Sequence, residues 1–396
     1  MRVTHVITRL IVGGAQENTA ASVLGLAQKP GLEVDLLAGP SDGPEGSLKP
    51  LFATHPDRLN LLPELVRPVR PWKDWVALRR LTARFRASPP DIVHTHSGKA
   101  GVLGRLAAAR AGVPIIIHTV HGPSFGAFQG ALANLVFRAA ERHAGKVTTH
   151  FVVVADAMRE QYLEAGIGRP DQYTKILSGF RLEPFLSAKN DPAFRARLGV
   201  GPEDIVVGKI ARLTRLKGHD DLFGLAPGLV RNCPQIKFLL IGDGEWRSRF
   251  EAQALRLGLG NHFIFAGLVA PDAVAQWVGI MDVVAHLSLR EGLARALPQA
   301  LAAGRPVVAY DCDGAREVCR DDETGFLVPP GDLAGLSRRL LQLAKDEPLR
   351  HRLGARGREF VRGRFSVEQM VEELYALYLR LAHQNERRDT MLMRDA

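Results

Sequence analysis

Short runs of apolar and β-branched residues alternate along this chain with longer amphipathic segments. A strand is predicted for each apolar run, at residues 3–8, 34–38, 92–95, 115–119 and 151–154, and then at 205–210, 238–241, 263–265, 283–286 and 307–310. Helical periodicity is clear at 75–87, 99–111 and 131–144. This alternation indicates an α/β protein with parallel sheets covered by helices on both faces.

The order of these segments predicts two doubly wound domains. We assign residues 1–182 to the first and 200–365 to the second. The polar segment 183–202, with its prolines and an Asn-Asp pair, is the predicted linker. A final helix is expected at 366–382, apolar on one face, and the polar residues from Gln384 onward are expected to fray.

Composition restricts the class of protein. The 396 residues carry a formal net charge of +10, and residues 1–180 hold 21 Lys and Arg against 14 Asp and Glu, a net +7. A basic surface suits nucleic acid, anionic lipid or phosphorylated ligands, but no nucleic-acid-binding motif accompanies it, so we expect no nucleic-acid partner. Three scattered cysteines indicate neither a disulfide framework nor a zinc knuckle.

The expected location is the cytoplasm. The first residues read as a strand rather than as a signal peptide, and no window approaches the roughly 18 apolar residues that a spanning helix needs. Phe125, Phe128 and Leu132 stand close to Arg138 and Arg142, which favours reversible attachment to the inner face of an anionic membrane; an ordinary buried helix is the alternative.

Candidate chemistry directly follows the predicted strands, where ligands collect in open parallel sheets. Gly13 and Gly14 form a turn that lets backbone approach a phosphate or a sugar, although a simple tight turn fits equally well. No third glycine follows in register, which excludes a dinucleotide fingerprint. His121 ends another strand and is either a catalytic imidazole or a packed residue.

In the second half, Arg212 and Lys217 flank the loop after the strand at 205–210. Two cations at a strand end can neutralise a diphosphate. We prefer this interpretation to that of ordinary surface charge, because both residues follow a strand. Glu291 precedes a helix predicted to begin near Leu293, where free amides can meet phosphate. Simple capping is the other interpretation of Glu291, because a carboxylate at that end also suits the helix dipole.

Two residue sets mimic metal sites, and we expect neither to bind metal. His94, His96 and His118 have no carboxylate or thiolate nearby in sequence to complete a tetrahedral set, so packing at strand ends is preferred. Asp311 and Asp313 form a D-x-D pattern, but Asp-Cys-Asp-Gly after a strand is typical of a loop.

The longer motifs resemble retaining glycosyltransferases of the family-4 type, which have the GT-B fold. The resemblance rests on VGGAQ from Val12, HTHSGKAGVLGRLAA from His94, HTVHG from His118, ARLTRLKGH from Ala211 and SLREGLARALPQALAAG from Ser288. The last of these is similar to the family's E-x7-E region. One departure is Gln299, which stands where the family has its second glutamate.

The resemblance implies two Rossmann-like domains facing a central cleft, with a C-terminal crossover helix packed on the first domain. It implies that His121 and Glu291 are catalytic, positioning hydroxyls of the donor sugar. The donor would be held by Gly14, Arg212, Lys217, Gly292, Leu293, Ala294 and Gln299. It further implies no metal or other cofactor, a UDP-sugar donor, and a glycan or polyprenyl-diphosphate-linked acceptor in cell-surface polysaccharide synthesis.

Two other functions stay open. An enzyme of the same fold that does not transfer, such as a nucleotide-sugar epimerase, would keep the cations but need no acceptor. A catalytically inactive partner subunit is the second alternative, suggested by Gln299.

Overall fold

The chain forms two compact α/β units. The structure, a computed structural model, describes residues 1–41, 46–126 and 128–394. The first unit comprises Met1–Phe180 together with the chain from Val367 onward, and the second comprises Arg181–Ser366.

A seven-stranded parallel sheet forms the centre of the first unit. Its strands lie in the order β3-β2-β1-β4-β5-β6-β7, with bounds β1 Arg2–Ile7, β2 Glu33–Ala38, β3 Leu59–Leu61, β4 Ile92–His96, β5 Ile115–Val120, β6 His150–Val153 and β7 Tyr173–Lys175. The order changes direction between β1 and β4, where open α/β sheets collect ligands. Register places His5 of β1 opposite His94 of β4.

Five helices connect these strands: α1 Gly14–Leu26, α2 Pro71–Ala87, α3 Gly98–Ala111, α4 Ala131–Gly145 and α5 Asp156–Glu164. Helix α2 begins four residues before the predicted start. Pro71 suits a first helical turn, and the Asp74 carboxylate accepts a hydrogen bond from the Arg70 amide at 3.0 Å. These local interactions extend the helix beyond its amphipathic segment.

The second unit contains a six-stranded parallel sheet in the order β10-β9-β8-β11-β12-β13. The strands are β8 Ile205–Ile210, β9 Ile236–Ile241, β10 Phe263–Gly267, β11 Val283–His286, β12 Val307–Tyr310 and β13 Gly325–Val328. Its helices are α6 Glu183–Leu186, α7 Pro192–Arg197, α8 His219–Asn232, α9 Arg247–Arg256, α10 Val274–Gly279, α11 Ala296–Ala302, α12 Leu333–Lys345 and α13 Glu347–Val361. The order changes direction between β8 and β11.

The segment predicted as a linker contains two short helices and packs within the second unit. Asp191 caps α7 by accepting hydrogen bonds from two backbone amides. The buried Arg195 guanidinium lies 3.3 Å from the Asp282 carboxylate, and the ring of Phe194 meets that of Trp277 edge-on at 4.9 Å. These contacts order a stretch whose polar composition resembles a linker.

The last helix, α14 Val367–Arg394, belongs to the first unit and packs against α1. Met370, Val371, Leu374 and Tyr378 of this helix are buried in a core cluster with Val23 and Leu26 of α1. The backbone stays helical past 382 and through Gln384, so the expectation that the chain frays from Gln384 is wrong for residues 384–394.

Candidate active site

Two loops of the second unit meet at the point where its strand order changes direction. Lys217 lies in the loop after β8, and Glu291 lies in the loop after β11. The Lys217 ammonium contacts the Glu291 carboxylate, and these side chains are 17% and 29% exposed, respectively. Two residues singled out independently from the sequence are therefore neighbours.

The backbone of the Lys217 loop is held closely against the loop after β11. Gly218 has a φ of 65°, and a Cβ at this position would come within 2.0 Å of the Leu287 carbonyl oxygen. The amide of Leu289 donates a hydrogen bond to the Leu216 carbonyl at 2.9 Å. Only glycine fits this approach, which positions Lys217 beside Glu291.

Asp313 orients the loop that carries Glu291. Its carboxylate accepts a hydrogen bond from the Glu291 amide at 2.7 Å, and the Gly314 amide donates to the Gly292 carbonyl at 3.1 Å. Asp311 forms an ion pair with Arg316 instead. The two carboxylates of the D-x-D pattern thus serve different partners, as expected of a loop.

The helix after Glu291 begins later than the sequence suggested. Helix α11 starts at Ala296, so Leu293 and Ala294, both buried, lie in the loop before it rather than in its first turn. Pro298 is the third residue of α11, a position that tolerates proline because first-turn amides need no intrahelical partner. Gln299 follows and is partly buried.

Arg212 is exposed in the loop directly after β8, on the N-terminal side of Lys217. Its guanidinium makes no ion pair with any residue that the structure describes. The group is therefore free to meet an anionic ligand.

Electrostatics keep Glu291 ionised. Burial by itself would raise the pKa of the Glu291 carboxyl, but the positive charge of Lys217 and the hydrogen bond that Lys217 donates outweigh this effect, so the net shift is downward. Beneath this pair, burial and repulsion from Lys217 lower the pKa of Lys209 to about 7. The Lys209 ammonium has no hydrogen-bond partner among the described residues. Lys209 lies within an apolar strand, so nothing in the sequence marked it as a candidate site residue.

The remaining predicted residues lie in the first unit. His121 follows β5, and its Nε2 lies 3.0 Å from Nδ1 of His96. Burial lowers the pKa of His121 to about 4, so the ring is neutral at pH 7. Gly14 is the exposed first residue of α1, where helix amides are free to meet an anion.

A buried histidine cluster underlies His121. His5, His94 and His96 each bring a ring nitrogen within 4.8 Å of the other two. His118 belongs elsewhere, with its Nδ1 2.9 Å from the Thr95 hydroxyl. The three clustered rings fit a metal poorly, because every one of their nitrogens already has a hydrogen-bond partner.

Comparison with known proteins identifies the family of this chain. Residues 190–360 match the family described as glycosyl transferases group 1, and residues 13–176 match the glycosyl transferase 4-like domain. EpsD of Bacillus subtilis, assigned as a glycosyltransferase, is 30% identical over 73% of this chain and 76% of its own length. The chain belongs to the group 1 glycosyltransferases. It is thus an enzyme of sugar transfer, of the family-4 type.

Other relatives extend this family assignment. The Escherichia coli UDP-Gal:α-D-GlcNAc-diphosphoundecaprenol α-1,3-galactosyltransferase is 27% identical over 81% of this chain and 84% of its own. HepE of Anabaena, solved with UDP-glucose, has a TM-score of 0.79 at 24% identity and covers 96% of this chain and 99% of its own. This likeness confirms the GT-B fold.

Sequence reasoning about this glycosyltransferase missed three residues: Asp313, which bonds the Glu291 amide in the second unit, and His5 and Tyr378, which belong to the histidine cluster of the first unit. His5 lies within the first predicted strand, and pairing that strand with 92–95 would have placed it beside His94. No helix in the described part of the chain is both long and apolar enough to cross a membrane.

Proposed function

We propose that this glycosyltransferase moves a sugar, with retention and without a metal, from a UDP-sugar to a glycan or polyprenyl-diphosphate-linked acceptor. The product would be a cell-surface polysaccharide. The observation that carries the proposal is the Lys217–Glu291 contact at the change in strand order of the second unit, with Arg212 beside it.

The two cations suit a departing diphosphate. Breaking the bond between the sugar and the diphosphate leaves negative charge on the phosphate oxygens. Lys217 supplies a compact charge and Arg212 a planar fork of donors, which together stabilise that charge. This charge stabilisation is the task that a metal ion performs in other enzymes.

The acidic group of the pair suits the sugar. An ionised Glu291 accepts hydrogen bonds from sugar hydroxyls, and Asp313 fixes the backbone that presents it. The loop amides of Gly292, Leu293 and Ala294 donate no hydrogen bond within the described part of the chain, so they can meet phosphate, and Gln299 can bond the ribose. A neutral amide there gives weaker bonds than the carboxylate that the family has.

His121 supplies the contribution of the first unit. Its neutral ring can hydrogen-bond a sugar hydroxyl while the acceptor attacks from the face that the diphosphate leaves. Gly14 gives backbone access at the start of α1. Support for a UDP-sugar and a lipid-linked acceptor comes from the compounds named for the Escherichia coli relative and from the UDP-glucose bound to HepE.

An exposed apolar and basic edge of the first unit supports the proposed attachment to a membrane. Leu132, Leu135 and Val136 of α4 are 75%, 64% and 54% exposed. Trp72 and Trp75 stack at 4.9 Å near the start of α2. Since α2 and α4 both follow parallel strands, their first turns lie at the same edge of the sheet.

Cations accompany these side chains. Arg67, Arg70 and Arg79 are exposed near the tryptophans, and Arg142 is exposed on α4. Phe125 is buried, so it cannot contact lipid as the sequence suggested. We call Trp72, Trp75, Leu132, Leu135 and Val136 the apolar edge.

A donor panel tests the proposed reaction. Purified protein is incubated with UDP-, GDP-, ADP- and dTDP-sugars, each with and without a bacterial lipid extract, in the presence of a chelator. We expect one UDP-sugar to yield a glycosylated lipid-linked product, identified by mass spectrometry, with the anomeric configuration of the donor. Consumption of a UDP-sugar without acceptor, an inverted product, or loss of activity with chelator would each contradict a stated part of the proposal.

A further inference from the structure

A continuous chain of hydrogen bonds runs through the core of the first unit, from His121 to Thr119. It passes through residues of β1, β4, β5 and α14. The bonds join His121 Nε2 to His96 Nδ1 (3.0 Å), His96 Nε2 to His5 Nδ1 (2.9 Å), His5 Nε2 to the Tyr378 hydroxyl (3.2 Å), that hydroxyl to His94 Nδ1, and His94 Nε2 to the Thr119 hydroxyl (2.6 Å).

The side chains that form this chain of hydrogen bonds are buried and uncharged. His5, His94 and Tyr378 are fully buried, and His96 is 1% exposed. Burial lowers the pKa of each of these histidines well below its usual value and raises that of Tyr378. Each neutral ring therefore has one nitrogen that donates and one that accepts.

Only two arrangements of the protons along the hydrogen bonds satisfy this rule. Every inner ring donates at one nitrogen and accepts at the other, and Tyr378 donates one bond and accepts one. All donors must therefore point toward His121, or all must point toward Thr119. The tautomer of His121 is decided by which direction the whole chain takes.

Thr119 decides the direction. Its hydroxyl is buried, and within the described residues its only hydrogen bond is the one to His94. If the chain pointed toward Thr119, the hydroxyl proton would be buried without an acceptor, which is unfavourable. If Thr119 donates to His94, every buried proton of the chain has an acceptor.

We propose that Thr119, Tyr378 and the buried histidines form a directional chain that places the proton of His121 on Nδ1. His96 then donates to Nε2 of His121, and Nδ1–H is the group left to bind a ligand, since it makes no bond within the described residues. His121 thus presents a hydrogen-bond donor, aimed at an oxygen of the sugar or its leaving group. That last role rests on the proposed function, whereas the tautomer does not.

Tyr378 is the positioning residue of this chain. It connects α14, at the far end of the sequence, to His5 on the first strand and to His94 on the fourth. Docking of α14 therefore completes the chain as well as the core. The rings of His96 and His121 lie 25° from coplanar with their centroids 5.3 Å apart, an edge-to-edge arrangement that suits an in-plane hydrogen bond between their nitrogens.

Nuclear magnetic resonance of isotope-labelled histidine tests the tautomer directly. Long-range proton–nitrogen correlations distinguish an Nδ1–H ring from an Nε2–H ring, and His121→Asn assigns the signal. We expect Nδ1–H in the unaltered protein. Tyr378→Phe and Thr119→Val each remove a hydroxyl from the chain, so each should shift His121 toward a mixture with the Nε2–H form.

Two matched variants act as controls. Thr119→Ser keeps the hydroxyl and should preserve the tautomer. Tyr375→Phe removes a hydroxyl of the same helix whose one hydrogen bond among the described residues is to the Pro30 carbonyl, away from the histidine chain, and it should also preserve the tautomer. Melting temperatures of all variants show whether each is folded. Because Tyr378→Phe and Thr119→Val interrupt the hydrogen bonds at different places, either variant can test the tautomer if the other does not fold.

The tautomer and the turnover are read separately. With an active donor, Tyr378→Phe and Thr119→Val should lower kcat on the order of tenfold with little change in donor KM. An Nε2–H tautomer in the unaltered protein, or an unchanged tautomer in both broken chains, overturns the inference, as does stoichiometric metal in the purified protein. The expected tautomers without any sugar transfer would support the chain and contradict the proposed function.

Discussion

Lys217 and Glu291 contact each other, so the Lys217 ammonium is held in place and partly desolvated. Under the proposed function, Arg212 and Lys217 each offset leaving-group charge. Lys217→Ala and Arg212→Ala should each lower turnover by at least about tenfold without lowering the melting temperature. Lys345→Ala, an exposed cation at the end of α12, is the matched control and should turn over at the normal rate. Normal turnover in either site variant would show that the replaced residue is an ordinary surface charge.

Gln299 lies in the first turn of α11 and lacks the charge that the family's glutamate has. If the side chain bonds the ribose, Gln299→Glu should tighten UDP binding or leave it unchanged, by on the order of 1 kcal/mol. Gln299→Ala should weaken binding. Calorimetric titration of UDP into the three proteins measures this. An unchanged affinity for the alanine variant would place Gln299 outside the site, and a loss for glutamate would mean that its charge meets the diphosphate.

Lys209 couples the stability of the second unit to pH. Its pKa is about 7 when folded and 10.5 in the unfolded reference, so the unfolded state binds more protons between these values. Stability should therefore rise with pH across this window. Lys209→Met removes the buried charge and should be more stable than the unaltered protein at pH 7, by up to about 5 kcal/mol. Thermal melts from pH 7 to 10.5 should show the difference shrinking as pH rises. A constant difference would mean that Lys209 has the same pKa in the folded and unfolded states, so that its buried ammonium stays protonated.

At the scale of elements, a buried ion pair joins α3 to α4. Arg105 Nη2 lies 2.5 Å from the Glu141 carboxylate, with the two side chains 0% and 1% exposed. Ser124 donates to the same carboxylate at 2.8 Å, and Arg105 Nε donates to the Gly101 carbonyl at 2.8 Å. The charges are satisfied only while both helices are docked.

Glu141→Ala leaves the Arg105 charge buried without its partner. It should lower the free energy of unfolding by about 3–5 kcal/mol, measured by denaturant titration. The double variant Arg105→Met, Glu141→Leu should recover much of this loss, because neither charge remains. Asp171→Ala breaks an exposed pair with Arg169 and should cost under about 1 kcal/mol. A similarly small effect at Glu141 would show that water reaches Arg105.

At the scale of the whole molecule, the basic first unit and its apolar edge predict reversible binding to anionic membranes. Flotation with vesicles of neutral or anionic lipid measures this, and salt should release the protein. Replacing Trp72 and Leu135 by Asp should reduce flotation severalfold, because both side chains are exposed on the apolar edge. Leu255→Asp, an equally exposed leucine of the second unit, should have no effect. Equal partition onto neutral vesicles, or none, would contradict the prediction.

Residue order within short segments was sufficient for most of the architecture. Each predicted strand is present, because apolar β-branched runs between helical segments describe buried parallel strands without reference to the rest of the chain. Three short edge strands, β3, β7 and β13, were not predicted. Runs of three or four residues carry too little pattern, and pairing with an existing sheet forms them.

Local sequence also placed the candidate residues after the ends of strands, because the bounds of each strand follow from its own residues. It did not determine which of these residues come into contact with each other. The Lys217–Glu291 contact joins residues 74 positions apart, and Tyr378 meets His94 across 284 positions. Such contacts depend on strand order, register and helix docking, which arise when the whole unit packs. Local pattern therefore defined the elements and their candidate chemistry, whereas folding of the complete chain selected the partners, the burial and the direction of the histidine chain.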